Sequence, residues 1–310
     1  MMFSLKIIYV CAALAILPCS ASAQWVKQDV ATDASFRGLS VVNTKVVWAS
    51  GTKGTFIRTT DGGAHWQVGT VPGAEALDFR DVEAFDANIA YLMAAGPGEA
   101  SRIYKTTDGG KTWTLQYQNK EPKAFFDSFG FWDRQHGMVL SDPVDGRFLL
   151  LRTDDGGKHW TPLAADQRPK ANEGEAAFAA SGTCLVAHGK LDVWIATGGA
   201  TERVLHSRDR GRTWTEANTG ITSGGTTAGN FSIAFFNGTL GMAVGGDYQK
   251  PAELKKVFAV TRNGGEAWQT FGRYELALDG TDRRTEITTG YPTGFRSGVA
   301  YVPTSGGQVW

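Results

Sequence analysis

Residues Thr106-Thr107-Asp108-Gly109-Gly110-Lys111-Thr112-Trp113 return, in the same pattern, at four other places in the chain: 59–66, 153–160, 207–214 and 261–268. The closing tryptophans, Trp66, Trp113, Trp160, Trp214 and Trp268, are 47, 47, 54 and 54 residues apart. A self-similar unit of this period builds a stacked or radial repeat, most often the blade of a propeller. The fold follows from that repeat.

Each position of the unit has a local task. The acid, Asp61, Asp108, Asp155 or Asp209, accepts hydrogen bonds from turn amides, and Asn263 takes its place in the fifth copy. The glycines supply backbone angles that a side chain forbids. The leading Ser or Thr bonds within the same turn. The tryptophan starts the next strand and packs between sheets, and its indole N–H is expected to reach a carbonyl.

Upstream of each unit lies the rest of a blade. Residues 79–85 alternate as a strand, 89–94 form a second, 102–106 run into the turn, and 113–117 follow it. The same order recurs from residues 39, 46 and 55, and again from 129, 137 and 148. Four antiparallel strands per repeat, with no helical period between them, predict an all-β propeller. Blades are expected to start near residues 36, 79, 125, 174, 229 and 294 of a single domain spanning 24–310. The expected total is six to seven blades, with the last cut short because its turn would fall beyond residue 310. Residues 24–30 are expected to supply an outer strand that closes the ring.

The chain has 310 residues, with 31 Lys+Arg against 31 Asp+Glu. That balance argues against a nucleic-acid binder, which shows a basic excess. Lys6, the apolar run 7–17 and the small residues Ala21-Ser22-Ala23 predict a secretion signal over residues 1–23, removed before Gln24. Pro18 before Cys19 is a poor match to lipoprotein processing. The mature chain is expected to be periplasmic or secreted, without a membrane span. It keeps one cysteine, Cys184, in a strand-like stretch, so no internal disulfide is available.

The S/T-x-D-x-G-x-x-W unit is that of the BNR or Asp-box repeat. The chain, with stretches such as Gly54-Thr55-Phe56-Ile57-Arg58-Thr59-Thr60-Asp61-Gly62-Gly63, resembles BNR-repeat propellers of the photosystem II stability/assembly factor family. The resemblance implies an exported, non-catalytic propeller that binds a protein or acidic peptide. The alternative it leaves open is a sialidase-like BNR glycosyl hydrolase acting on a carbohydrate at the channel mouth, since Asp boxes occur in both settings. A sortilin-like receptor would carry a transmembrane segment.

Aligned by their first strands, the blades place Arg37, Arg80 and Arg296 in one register, filled by Asp127 in blade three and Glu175 in blade four. Equivalent positions at the start of inner strands form a ring at the central channel. Such a ring either grips a carboxylate through forked guanidinium contacts or pairs internally around water. Sialidase chemistry needs in addition a tyrosine–glutamate pair and an acid; Tyr291 and Glu286 are near each other in sequence, with nothing to fix them as a pair. No metal-ligating pattern, nucleophile elbow, P-loop or dinucleotide fingerprint occurs, and no cofactor is expected. The acids of 141–147 and 245–248 suit turns better than a cation. Loops at 198–203, 247–256 and 273–284 lengthen the later repeats and are expected to elaborate one face of blades four and five.

Overall fold

The computed structural model describes residues 27–253, 255–271 and 294–300. Residues 1–30 and 31–310 form separate units. In the first, residues 27–30 form no strand, so the described part of the expected 24–30 strand is irregular. The signal segment 1–23, Glu286, Tyr291 and the 273–284 loop lie outside the described residues.

The second unit holds five sheets among the described residues, four of them simple antiparallel meanders. The first contains β1 (Phe36–Val41), β2 (Val47–Gly51), β3 (Thr55–Thr59) and β4 (Gln67–Thr70); the second, β5 (Asp78–Ala84), β6 (Ala90–Ala95), β7 (Arg102–Thr106) and β8 (Thr114–Gln118). The third contains β9 (Phe126–Phe131), β10 (Gly137–Val144), β11 (Arg147–Thr153) and β12 (Thr161–Pro162). Two short strands follow in sequence, β13 (Glu175–Ala176) and, farther on, β16 (Gly198–Gly199). The fourth sheet is β14 (Leu185–His188), β15 (Asp192–Ala196), β17 (Val204–Ser207) and β18 (Thr215–Ala217). The fifth is β19 (Ala228–Phe235), β20 (Gly241–Asp247), β21 (Phe258–Thr261) and β22 (Gln269–Phe271), with β16 and β13 added at its inner edge.

These are the blades of a propeller, and their faces stack on one another. Trp48 and Phe56 of the first sheet share a core with Phe79, Val82, Leu92 and Tyr104 of the second. Met138, Leu140 and Phe148 of the third share one with Val193 and Trp194 of the fourth and Ile233 and Ala243 of the fifth. All six residues of β6 are buried, as a strand covered on both faces requires. Each fully buried large side chain contributes about 1.5–3 kcal/mol.

The repeated turn is built as its residues dictate. In the second blade, Asp108 Oδ1 accepts the Thr112 amide at 2.9 Å and Oδ2 accepts the Thr112 hydroxyl at 2.6 Å. The Thr106 hydroxyl donates to Asp108 Oδ1 and accepts the Gly110 amide at 2.9 Å. Asp61 and Asp155 bind a histidine ring where Asp108 binds a threonine, through His65 Nδ1 at 2.7 Å and His159 Nδ1 at 2.5 Å. Asn263 keeps the amide contact to Ala267, at 3.0 Å.

The tryptophan tips depart from expectation. Trp214 Nε1 donates to the carbonyls of Gln167 and Gly211, while Nε1 of Trp113, Trp160 and Trp268 has no acceptor among the described residues. Three donors on second strands also cross between blades: Trp48 Nε1 to Asp86 O at 3.2 Å, Tyr91 Oη to Gly156 O at 2.6 Å, and Trp194 Nε1 to Gly264 O at 2.8 Å.

Blade four also starts later than residue 174. Its inner strand is β14, from Leu185, whereas β13 pairs with β16 and joins the sheet of blade five. Glu175 of that strand is buried, in contacts described below. The expected loop at 198–203 is not a solvent excursion, because Gly198, Gly199, Glu202 and Arg203 are all buried.

Candidate functional site

Four inner strands begin with the same irregularity. The pairing slips by one residue after Phe36, Phe79, Phe126 and Asn230, and the extra residues are Arg37, Arg80, Asp127 and Phe231. A bulge of this kind bends the strand and re-aims one side chain. So Arg37, Arg80 and Asp127 do share a register, at one end of the inner strands.

Arg296 and Glu175 do not join them. The Val299 amide donates to Ser232 Oγ at 3.1 Å, just as the Phe129 amide donates to Asp81 Oδ2 at 2.9 Å. Val299 therefore aligns with Phe129, and the bulge position of the sixth repeat is Ser297, one beyond Arg296. The Arg296 side chain is exposed and, among the described residues, reaches only the carbonyls of Gly294 and Phe295. Glu175 is buried in a forked ion pair: Arg203 Nε and Nη2 donate to its two oxygens, each at 2.8 Å. Thr197 Oγ1 and the Asn172 amide complete its contacts at 2.6 and 2.8 Å. The sequence pattern cannot reveal this partner, which lies 28 residues away on another strand.

Of the remaining three, Arg80 and Asp127 lie close enough for their charges to interact. Arg80 donates through Nε to Asp78 at 2.8 Å and through Nη1 to Ala179 O at 3.2 Å, and its guanidinium lies 5.9 Å from the Phe125 ring. Asp127 is buried, and Oδ2 has no hydrogen-bond partner. Burial pushes its pKa well up, neighbouring Asp142 adds to the rise, and Arg80 opposes it. Arg37 is exposed, with no hydrogen bond or ion pair among the described residues.

The position after the bulge, unremarked in the sequence, fills the axis. Asp81 stands where the other blades have Gly38, Ser128, Cys184 and Ser232. Its carboxyl accepts the Val82 and Phe129 amides at 2.8 and 2.9 Å. The Ser128 hydroxyl lies 3.3 Å from it and donates to Gly182 O at 2.7 Å. Gly182 belongs to blade four, and a methyl group there would overlap the Asp81 carboxyl. Thr183 and Ser232 hydroxyls meet at 2.6 Å, and Ser181 Oγ donates to Ser297 O at 2.8 Å. Residues 177–183 thus lie across the inner strands of blades two and three. Among the described residues the axis is packed at this level by the 177–183 segment and the side chains it meets. Asp81, raised well above an ordinary aspartate chiefly by burial, is closed to a sugar, as is Asp127.

What remains open at this end is a pair of bulge arginines on adjacent blades. Arg37 is free, and Arg80 is anchored by Nε and Nη1 with Nη2 uncommitted. An anchored guanidinium on one blade and an uncommitted one on the next suit a carboxylate. Among the described residues no group of three or more acidic, histidine or cysteine side chains is placed to hold a metal.

Comparison with known proteins agrees with the repeat. The family model described as Photosynthesis system II assembly factor YCF48 matches residues 17–124. No curated protein sequence matches the chain. Among solved structures, the GH74 enzyme of Niastella koreensis shares the fold, with a TM-score of 0.56 and 13% identity over 87% of this chain and 43% of that one. The chain therefore spans less than half of that enzyme. A structure of YCF48 bound to D1 peptide is 17% identical, covering 78% of this chain and 83% of that one, with a TM-score of 0.40. YCF48 from Cyanidioschyzon merolae is 15% identical, covering 78% and 87%, with a TM-score of 0.42.

Proposed function

We propose that this chain, a BNR-repeat propeller resembling the photosystem II assembly factors, is an exported binding protein that grips an acidic segment of a protein or peptide partner. The observation that carries the reading is the pair of arginines, Arg37 and Arg80, at equivalent bulges of adjacent inner strands. One has no partner among the described residues and the other is held in place with one nitrogen to spare. A peptide carboxylate placed between them gains charge-assisted hydrogen bonds without reordering Arg80. The family-model match to YCF48 supports a protein or peptide partner, since a YCF48 structure is described as bound to D1 peptide. Export rests on Lys6, the apolar run after it and the small residues before Gln24.

Calorimetric titration with acidic peptides tests the binding. Arg37→Ala and Arg80→Ala are each expected to weaken it by about tenfold, the loss of one charge-assisted contact. An affinity untouched by both substitutions overturns the site. Export is tested by expressing the full chain in a bacterium and sequencing the amino terminus of the recovered protein. A start at Gln24 supports it, and a cytoplasmic protein starting at Met1 refutes it.

A further inference from the structure

We propose that a second site, between the β8–β9 connection and the β10–β11 hairpin, binds a small organic monocarboxylate with an apolar or aromatic body. A cleft of about 630 Å³ lies there, within the size range of small-molecule sites.

Its walls are fixed before any ligand arrives. On one side, buried Asn119 donates to Gly98 O and Glu121 O and accepts the Glu121 amide, which sets the connection after β8. On the other, Asp145 and Gly146 turn the hairpin with φ of 52° and 78°. Lys123 Nζ donates to Asp145 Oδ1 at 2.9 Å and ties the two walls together. A preformed cleft avoids the entropy cost of ordering on binding.

The cleft is lined by two arginines, and both are anchored without being neutralised. Arg147 Nη1 donates to Arg168 O at 2.6 Å, and Arg168 Nε donates to Leu163 O at 2.8 Å. Neither makes an ion pair among the described residues. The terminal nitrogens of Arg168, with Nε and Nη2 of Arg147, are left as donors. The lysines of the same walls are already paired, Lys120 with Glu99 at 3.1 Å and Lys123 with Asp145. Glu121 is the lining carboxylate without an ion pair among the described residues. Two guanidinium charges against one carboxylate leave a single net positive charge, which matches a monoanion and opposes a dianion.

The other groups define the ligand's body. Val144 and Leu149 are buried apolar floor, and Tyr117, whose ring stacks on Phe126 with centroids 6.1 Å apart, forms one wall. The Tyr117 hydroxyl has no hydrogen-bond partner among the described residues. Burial pushes its pKa up, so at neutral pH it stays a proton donor.

Titration calorimetry and saturation-transfer NMR on the full chain test the site, with phenylacetate and indole-3-acetate as probes. Phenylacetamide serves as the uncharged control and inorganic phosphate as the generic anion. Both carboxylates are expected to bind with sub-millimolar affinity, phenylacetamide and phosphate at least about tenfold more weakly. Arg168→Gln and Arg147→Gln are each expected to weaken phenylacetate about tenfold, and Tyr117→Phe about threefold. Phenylacetate binding that persists in the Arg37→Ala, Arg80→Ala double variant and falls with Arg168→Gln belongs to this site. Binding lost in the double variant and unmoved by Arg168→Gln belongs to the peptide site and overturns the proposal. Arg168→Lys keeps the charge and loses the fork, so it binds more weakly even where the Gln variant does not fold. Equal binding of phosphate and phenylacetate overturns the proposal, as does phenylacetate affinity unmoved by either Arg168 substitution. Absence of any saturable signal with the carboxylates overturns it as well.

Discussion

Glu175 illustrates a carboxylate whose role depends on one distant side chain. With Arg203 forked onto both its oxygens and Thr197 and Asn172 on the remaining lone pairs, the buried charge is fully satisfied. Removing it leaves the Arg203 guanidinium buried with only the exposed Glu216 as counter-ion among the described residues. Glu175→Ala is therefore expected to cost about 3–5 kcal/mol in urea unfolding. A loss under about 1 kcal/mol would show that the pair is not structural. Asp209 offers a milder case: its oxygens accept the Arg212 and Thr213 amides and the Thr213 hydroxyl at 2.9, 2.9 and 2.6 Å. Asp209→Ala is expected to lose about 1–2 kcal/mol. The box acids were legible because their partners sit within four residues, so spacing alone names them. Glu175 was not, since a buried ion pair between strands leaves no trace in a repeat pattern.

At the scale of the element, the turn glycines are where two constraints meet. Gly110, Gly157 and Gly265 all have positive φ, and each abuts an aromatic ring of the preceding blade: Phe56, Tyr91 and Trp194. Backbone angle and close approach both exclude a side chain. Gly157→Ala places its methyl 2.9 Å from Tyr91 Cε1 and strains φ of 80°, and is expected to lower stability by at least about 2 kcal/mol. Gly146, also at positive φ but with open space around it, is the control. Gly146→Ala is expected to cost only the backbone term, about 1 kcal/mol. Equal losses in the two thermal melts would remove the packing part of the explanation. The turn was readable from sequence because its requirement is local. The blade-crossing donors Trp48, Tyr91 and Trp194 were not, because second-strand positions look alike until a neighbouring carbonyl is known. The start of blade four was misplaced for a related reason: the two-residue strand of Glu175 and Ala176 imitates an inner strand but pairs with Gly198 and Gly199.

For the molecule as a whole, opposite groups of acids set opposite limbs of the pH profile. The box acids Asp61, Asp108 and Asp155 are held down to about 2, chiefly by donors from their own turns. A carboxyl lowered on folding stabilises above its unfolded value of 3.8, and that contribution is lost as pH falls through about 2. The axial acids act the other way. Asp81 and Asp127 are raised by burial, and Glu83, half-buried on the same strand as Asp81, is raised to about 7 by desolvation. A carboxyl raised on folding contributes most below its unfolded value and loses that contribution as pH climbs to the folded one. For Glu83 the window runs from 4.5 to about 7, with Asp81 and Asp127 extending the decline from 3.8 upward. Stability is thus expected to peak near pH 4–5 and to fall toward pH 8. Glu83→Gln has no charge to desolvate, so its midpoint in urea at pH 8 should exceed the parent's by the equivalent of about 1–3 kcal/mol, while the two coincide at pH 4. Asp108→Asn, by contrast, should move only the acid limb. A parent profile that rises from pH 5 to 8, with Glu83→Gln running parallel to it, would mean that the axial carboxyls ionise without cost and that the axis is wetter than its packing shows.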